Sequence, residues 1–543
     1  MYSETANETA EVLAARCLLC NVGCPVRITR AGPDRYIPDY VPHAGYAGLC
    51  GRGSVLAEWL DHPGRLLEAE RRLQGERQRL TLEAALGEAA EALCGDPSAA
   101  ILVDGNLDLD SIAAVQQWAA DHGARWAVHV PPSDEGLVRG LDGGGCEFIG
   151  PEQLTEADAL LIVGNVYATH PVAAHWIFDA RTKHPRMPVL VMADASGVTA
   201  EFATGVFQPH LAVGETARAV AAVRTGQAVG MGPEAGALAG WKGFLRTGKS
   251  IAIVVVAELG CADAQALGGE VAKLAVELAA KVCPLTTYGG AWGAVRQAAS
   301  GGATAVEKIL TGPPRTLVVI GADVESALGR RAAGSALDKV QRLIYIGPMP
   351  NLTSGRASLV LPAAFAFETP GRALLGPGRD VRFAALLPPP AGVPTVRDVL
   401  AALGGSRETM VDVSRAVAAA AEADGAESRP ISSEGLLLAP VGSPVDFADG
   451  SLTRTASWPQ VVQRQPILMM AEGDARAAGL SDKACAILEG PGGSVEVEVV
   501  TSAAQRPGQA RVGAVFAEVR NMFGWTWDGT RPGDPVRVRV RKA

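Results

Sequence analysis

The chain has 543 residues, too many for a single hydrophobic core, and an Ala- and Gly-rich composition typical of ordinary folded proteins. A formal charge of -9 argues against a nucleic-acid partner, which would call for a basic face. No stretch reaches the roughly 20 apolar residues of a membrane span; IAIVVVA at 251–257 reads as a buried strand. The opening MYSETANETAEVLAAR has no basic start and no apolar core, so the expected location is cytoplasmic.

The first motif is RCLLCNVGC at 16–24, which places Cys17, Cys20 and Cys24 within eight positions. The natural fourth thiol is Cys50, in AGLCGRGS, and the spacing becomes C-x2-C-x3-C-x25-C. Four thiolates suit either a structural zinc or a [4Fe-4S] cluster. Zinc sites usually show two separated C-x2-C pairs, whereas three clustered cysteines and one distant one suit a cubane better. Cys94, Cys146, Cys261, Cys283 and Cys485 are isolated and read as small buried hydrophobes.

Beyond residue 75 helices alternate with short apolar strands. LTLEAALGEAAEALC (80–94) has helical periodicity, and AAILVDGN (99–106) is a strand ending in a turn. The theme recurs at DALLIVGNVYATHP (158–171), MPVLVMADASG (187–197), KSIAIVVVAELG (249–260), PRTLVVIGADVES (314–326) and QRLIYIGPMPN (341–351). This alternation predicts an α/β fold with helix-covered parallel sheets in two Rossmann-like regions. Ligands of such sheets lie beyond the carboxyl ends of strands, so Gly164–Asn165 and Gly321–Asp323 are candidate nucleotide-contacting turns. The interval 404–435 is polar and Ala-rich, as in a linker. After it, alternating segments divided by Gly and Pro predict a small antiparallel β-barrel. The expected domains are 1–75 (iron–sulfur), 76–235 and 236–403 (α/β), 404–435 (linker) and 436–543 (barrel).

The order of cysteine loop, two α/β regions and barrel resembles the molybdenum/tungsten bis-pyranopterin oxidoreductases. That family includes formate dehydrogenases, formylmethanofuran dehydrogenase catalytic subunits and the large iron–sulfur subunit of complex I. Four segments carry the resemblance: CLLCNVGC with LCGRG and DHPGRL; EADALLIVGNVYATHP; ASLVLPAAFAFETPGRALLGPGRDVRF; and MMAEGDARAAGLSDKACAILEGPGGSVEVEV. It implies that Cys17, Cys20, Cys24 and Cys50 ligate a [4Fe-4S] cluster, with Arg52 between cluster and pterin. It also implies a bis-molybdopterin guanine dinucleotide carrying Mo or W. By the same resemblance Gly164, Asn165, His170, Gly321, Asp323, Gly371, Gly378, Arg379 and Asn521 are candidate pterin contacts.

The departures from the pattern are specific. The loop that supplies a metal-binding Cys in active relatives is WAVHVPPSDEG (126–136), which has none. Ser133 or Asp134 is the expected oxygen ligand, with Cys146 nearby as another candidate. The usual Asp-Pro-Arg reads MADASG, which keeps only Asp194. Leu375 replaces a polar residue of the later pterin loop. Two functions stay open: a redox subunit acting on formate or a formyl-type C1 substrate, or a relay or scaffold subunit that has lost the pterin site. Both imply electron-transfer partner subunits, since no second redox motif is present.

Overall fold

Apolar runs of five or six residues, each ending at a turn, form strands buried on both faces: Ala159–Val163, Ile251–Val256 and Thr316–Ile320 have no exposed residue. In the computed structural model these strands are central to two sheets. The structure describes residues 15–543 apart from 33–34, 42–45, 47, 74–75, 95, 259–260, 406–412, 414–416 and 418–434. Residues 1–14, most of the expected linker 404–435 and the side chain of Cys261 lie outside the described residues.

One sheet has six parallel strands, in the order Gly205–Phe207, Val189–Met192, Ala159–Val163, Ile251–Val256, Lys281–Leu285 and Glu147–Phe148. The other has seven. Five are parallel: Leu359–Pro362, Arg342–Gly347, Thr316–Ile320, Ala100–Asp104 and Arg125–His129. The hairpin Ala69–Leu73/Glu76–Leu80 adds an antiparallel edge.

The two sheets are not the contiguous regions 76–235 and 236–403. Strands from 100–129 pair with strands from 316–362, and the six-stranded sheet is built wholly from the segment between them. Local hydrophobic pattern marks a strand but carries no record of its partner, so this interleaving is invisible to it. Each sheet has one point where the chain reverses its direction of build-up. These switch points lie between Ala159–Val163 and Ile251–Val256, and between Ala100–Asp104 and Thr316–Ile320. Open α/β sheets bind ligands at such points.

The C-terminal strands close into a six-stranded barrel. It is mixed rather than purely antiparallel: Leu436–Val441 runs parallel to Gln509–Gly513, and Ile467–Ala471 parallel to Gly493–Ser502. Parallel pairs need a crossover, and helix Glu472–Ala477 with strand Cys485–Gly490 supplies the second one. Among the described residues no helix is long and apolar enough to cross a membrane.

At the N-terminus, strands Ala15–Arg16, Pro25–Gly32 and Arg35–Tyr40 form an antiparallel sheet. The segment that follows, leading into strand Ala69–Leu73, carries a buried ion pair. Arg65, from DHPGRL, donates through Nη1 to Glu368 Oε1 at 2.8 Å, and both side chains are buried. Burial pushes the Glu368 carboxyl up and Arg65 pulls it back down. Removing one partner of such a pair strands the other charge, at a cost of about 3–5 kcal/mol. Glu368→Ala should therefore lower the urea midpoint markedly, whereas Arg65→Met combined with Glu368→Leu should cost less; equilibrium unfolding compares the two.

Candidate functional site

Residues 17–24 are the connection of a hairpin. Ala15 and Arg16 pair with Val26 and Pro25, and the Cys17 N–H donates to the Cys24 carbonyl at 2.9 Å. A loop so short turns its thiols to one side. Gly23 has φ +68°, and the Gly23 N–H donates to the Cys20 carbonyl. A side chain there would be strained by that φ and would meet Leu375 Cδ1 at 2.3 Å. Cys50 arrives separately, as the N-cap of the short helix Gly51–Ser54.

All four cysteines line one cavity of about 340 Å³, together with Arg52 and His170. They are free thiols. Burial, then the neighbouring Cys50 and Cys20, pushes Cys17 far up; burial raises Cys20 to about 11 although Arg52 opposes it; burial and the other three raise Cys24. Three buried thiols raised in this way would ionise more readily around a cationic centre. Among the described residues, no three His, Cys, Asp or Glu side chains gather tightly enough to hold one metal ion.

The loop is clamped from the α/β body. Asn21, wholly buried, donates through Nδ2 to the carbonyls of Pro284 (2.8 Å) and Leu375 (2.9 Å), and its Oδ1 accepts from Thr286 N–H at 2.8 Å. Arg379 donates to the carbonyls of Asn21 (3.0 Å) and Val22 (3.2 Å). The hairpin Gly371–Leu374/Asp380–Phe383 carries Arg379. Gly378 is its positive-φ turn residue, while a Cβ on Gly371 would stand 2.6 Å from Asp108 Cβ. Of these three expected pterin contacts, Arg379 is the one whose side chain binds the cysteine loop.

Arg52 is buried and borders both the cysteine cavity and a larger one of about 1070 Å³. It donates to the Thr169 carbonyl, and its Nε has no partner. His170 follows in the same turn. Its Nε2 meets the Thr286 carbonyl at 3.0 Å and must donate there, while Nδ1 lies 2.9 Å from the Thr169 hydroxyl, which donates to the Asn165 carbonyl at 3.0 Å. Burial and Arg52 depress its pKa to about 3, and the ring is neutral.

The large cavity lies between sheet ends and barrel. Ser133 lines it, with His129, Glu258, Tyr288, Asp449 and Arg520. Asp134 does not: both its oxygens accept backbone N–H groups, from Thr287 at 2.9 Å and Tyr288 at 2.8 Å. Burial raises its carboxyl to about 7 against those donors. Of the two expected oxygen ligands, only Ser133 faces the cavity. Asn521 Oδ1 accepts from Arg330 N–H at 2.8 Å. The preceding residue, Arg520, faces the cavity, with its guanidinium bound to the carbonyls of Ala514 and Ala327. Asp449 has one oxygen bound by Ser451, while Oδ2 is buried without a partner.

A further crevice of about 540 Å³ shares Val256, Ala257 and Glu258 with the large cavity. Gly164, Asp194 and Arg511 line it, at the switch point of the six-stranded sheet. Gly164 has φ +89°, and a Cβ there would stand 2.4 Å from the Val256 carbonyl oxygen. Asn165 N–H donates to Glu258, and its Oδ1 accepts from Thr199 at 2.6 Å. Asp194 is held by Gln505 Nε2 and lies 3.4 Å from Arg511. Gly321 and Asp323 sit in the equivalent turn of the other sheet, where Asp323 caps helix Val324–Leu328.

Sequence reading missed His129, Glu258, Tyr288, Asp449, Arg520 and Arg511. The position of His129 at a strand's carboxyl end was an available signal; the others enter through tertiary packing alone.

No protein-family model and no curated protein matches the sequence. Solved structures do match. Acetylene hydratase from Pelobacter acetylenicus aligns with a TM-score of 0.69, over 98% of this chain and 100% of that one, at 12% identity. The two chains share a fold. The likeness extends through the cysteine unit, both sheets and the barrel, since almost no part of either chain is left over.

His129 yields a pH test. Burial depresses its pKa from 6.5 to about 4, with Asp449 opposing and Arg520 reinforcing the shift. A His kept neutral by folding contributes stability above the unfolded pKa and loses it as pH falls through the folded one. Stability should therefore decline between pH 6.5 and about 4, and His129→Gln should flatten part of that decline in thermal melts.

Proposed function

We propose that this chain is an iron–sulfur, molybdenum- or tungsten-pterin oxidoreductase subunit that acts on formate or a formyl-type C1 substrate. The observation that carries the reading is the series of three adjoining spaces. A four-thiol cavity meets a large cavity at Arg52, and that cavity shares a wall with a crevice at a sheet switch point. The sequence resemblance and the shared fold support it independently.

In this reading Cys17, Cys20, Cys24 and Cys50, which line one cavity, hold a [4Fe-4S] cluster. The turn at Gly164 cradles a pterin dinucleotide tail. A Mo- or W-pterin centre, when bound, supplies two-electron chemistry and polarises substrate. Ser133 offers the oxygen facing that centre. Neutral His129 can take a proton at the cavity wall, and the Arg520 charge favours an anionic substrate such as formate. Arg52, buried between the spaces, favours electron arrival on the cluster by its positive charge. Electrons then leave to partner subunits, because the sequence offers no second redox motif.

A relay or scaffold role is the second reading, favoured by Asp134: one of two oxygen candidates for the metal is committed to the backbone. The name acetylene hydratase describes water addition, so the shared fold leaves the reaction class to the site.

Two variants test the primary reading. Cys20→Ala should abolish the low-potential iron signal of anaerobically purified protein. Arg52→Gln should keep full iron content but lower the cluster's reduction potential, since a cation stabilising the reduced form is gone. An unchanged potential contradicts the role given to Arg52. Mo and W both absent from the native complex contradicts the pterin reading and leaves the relay.

A further inference from the structure

Family resemblance implies two pterin dinucleotides, one for each α/β region. We infer that this chain takes one, at the Gly164 crevice, and that the corresponding end of the seven-stranded sheet is closed to a second. The inference rests on the proposed function and narrows its cofactor.

The two switch points differ in what occupies them. At the first, Gly164 and Val256 border open space, and Arg511 lies 3.4 Å from Asp194 with Glu258 also on the wall. At the second stand two carboxylates, Asp104 and Asp323, one at the end of each flanking strand. A Cβ on Gly321 would lie 3.2 Å from Asp104 Cβ, so turn and acid are packed together.

Asp323 already occupies the donors that would otherwise meet a pyrophosphate. Its Oδ1 accepts from Thr353 N–H (3.1 Å), Thr353 Oγ1 (2.9 Å) and Ser326 N–H (3.3 Å), and Oδ2 accepts from Leu352 N–H (3.1 Å). The chain's own anion sits where a ligand's anion would. Asp449, from the barrel side, adds a third charge that pushes both Asp104 and Asp323 upward, after burial as the main cause. Arg520 is the cation that faces this group, and burial lowers its own pKa. Bringing a pyrophosphate to three clustered carboxylates would be opposed by Coulomb repulsion in a poorly solvated space.

Side chains also cover the same end. The Tyr345 hydroxyl donates to the Met349 carbonyl (3.3 Å) and accepts from Asn351 Nδ2 (2.9 Å). From the barrel, Arg520 donates to the Ala327 carbonyl (2.9 Å), Asn521 accepts from Arg330 N–H (2.8 Å), and Trp527 Nε1 donates to the Ala332 carbonyl (2.9 Å). Admitting a dinucleotide would break these contacts together.

The test is the nucleotide-to-metal ratio of the native complex. Acid hydrolysis should release one nucleoside monophosphate per Mo or W ion. A ratio of two overturns the inference and leaves the proposed function standing, whereas a complex with neither nucleotide nor metal overturns both. Asp323→Asn, which keeps the shape of the cap, should leave the ratio at one. Loss of the remaining nucleotide from that variant, with iron content intact, would place the dinucleotide at the closed end and overturn the inference.

Discussion

The cysteine loop has no core of its own, and the site depends on how it is held against the α/β body. Asn21 is the point of attachment: its buried amide spends both donors and its oxygen on backbone from the Pro284–Thr286 segment and from Leu375. Arg379 binds the next two carbonyls, and Leu375 fills the space that Gly23 leaves by having no side chain. Buried polar groups left unmatched cost more than matched ones contribute, so the arrangement is specific to one loop position. That position aims three thiols at Cys50 and puts Arg52 on the wall shared with the large cavity.

From this anchor the electrostatics follow an order. Burial, with neighbouring sulfurs, raises Cys17, Cys20 and Cys24, so these three thiols ionise poorly. Arg52 and neutral His170 follow, then a cavity whose wall mixes Ser133, His129, Asp449 and Arg520. The fold alone would permit matching ligand sites at both switch points. The side chains make them unequal: one end keeps an open, glycine-floored crevice beside Arg511, the other a cluster of acids under a lid from the barrel.

The cysteine constellation was legible in sequence because spacing along a hairpin translates directly into geometry. The central strands were legible because burial on both faces leaves an uninterrupted apolar run. The barrel's position was legible as well, but its two parallel pairings were not, since alternation encodes faces and not neighbours. Side-chain direction was the weakest reading. Ser133 and Asp134 are adjacent on one helix, yet one faces the cavity and the other turns to backbone. On helix Ala517–Phe523, Arg520 lines the cavity while the Asn521 oxygen binds Arg330 N–H. At a helix start or on a short helix, a single step turns the side chain by roughly 100°, and only the packed structure decides which residue of a polar pair points inward.

The central proposal is that the three thiols of the hairpin loop and Cys50 hold a polynuclear centre instead of a single ion. X-ray absorption on anaerobically prepared protein tests it most directly, at the iron and zinc edges in turn. The account predicts iron with a sulfur shell and a second shell of neighbouring iron atoms. About one zinc per chain, surrounded only by sulfur and accompanied by no iron, would contradict it.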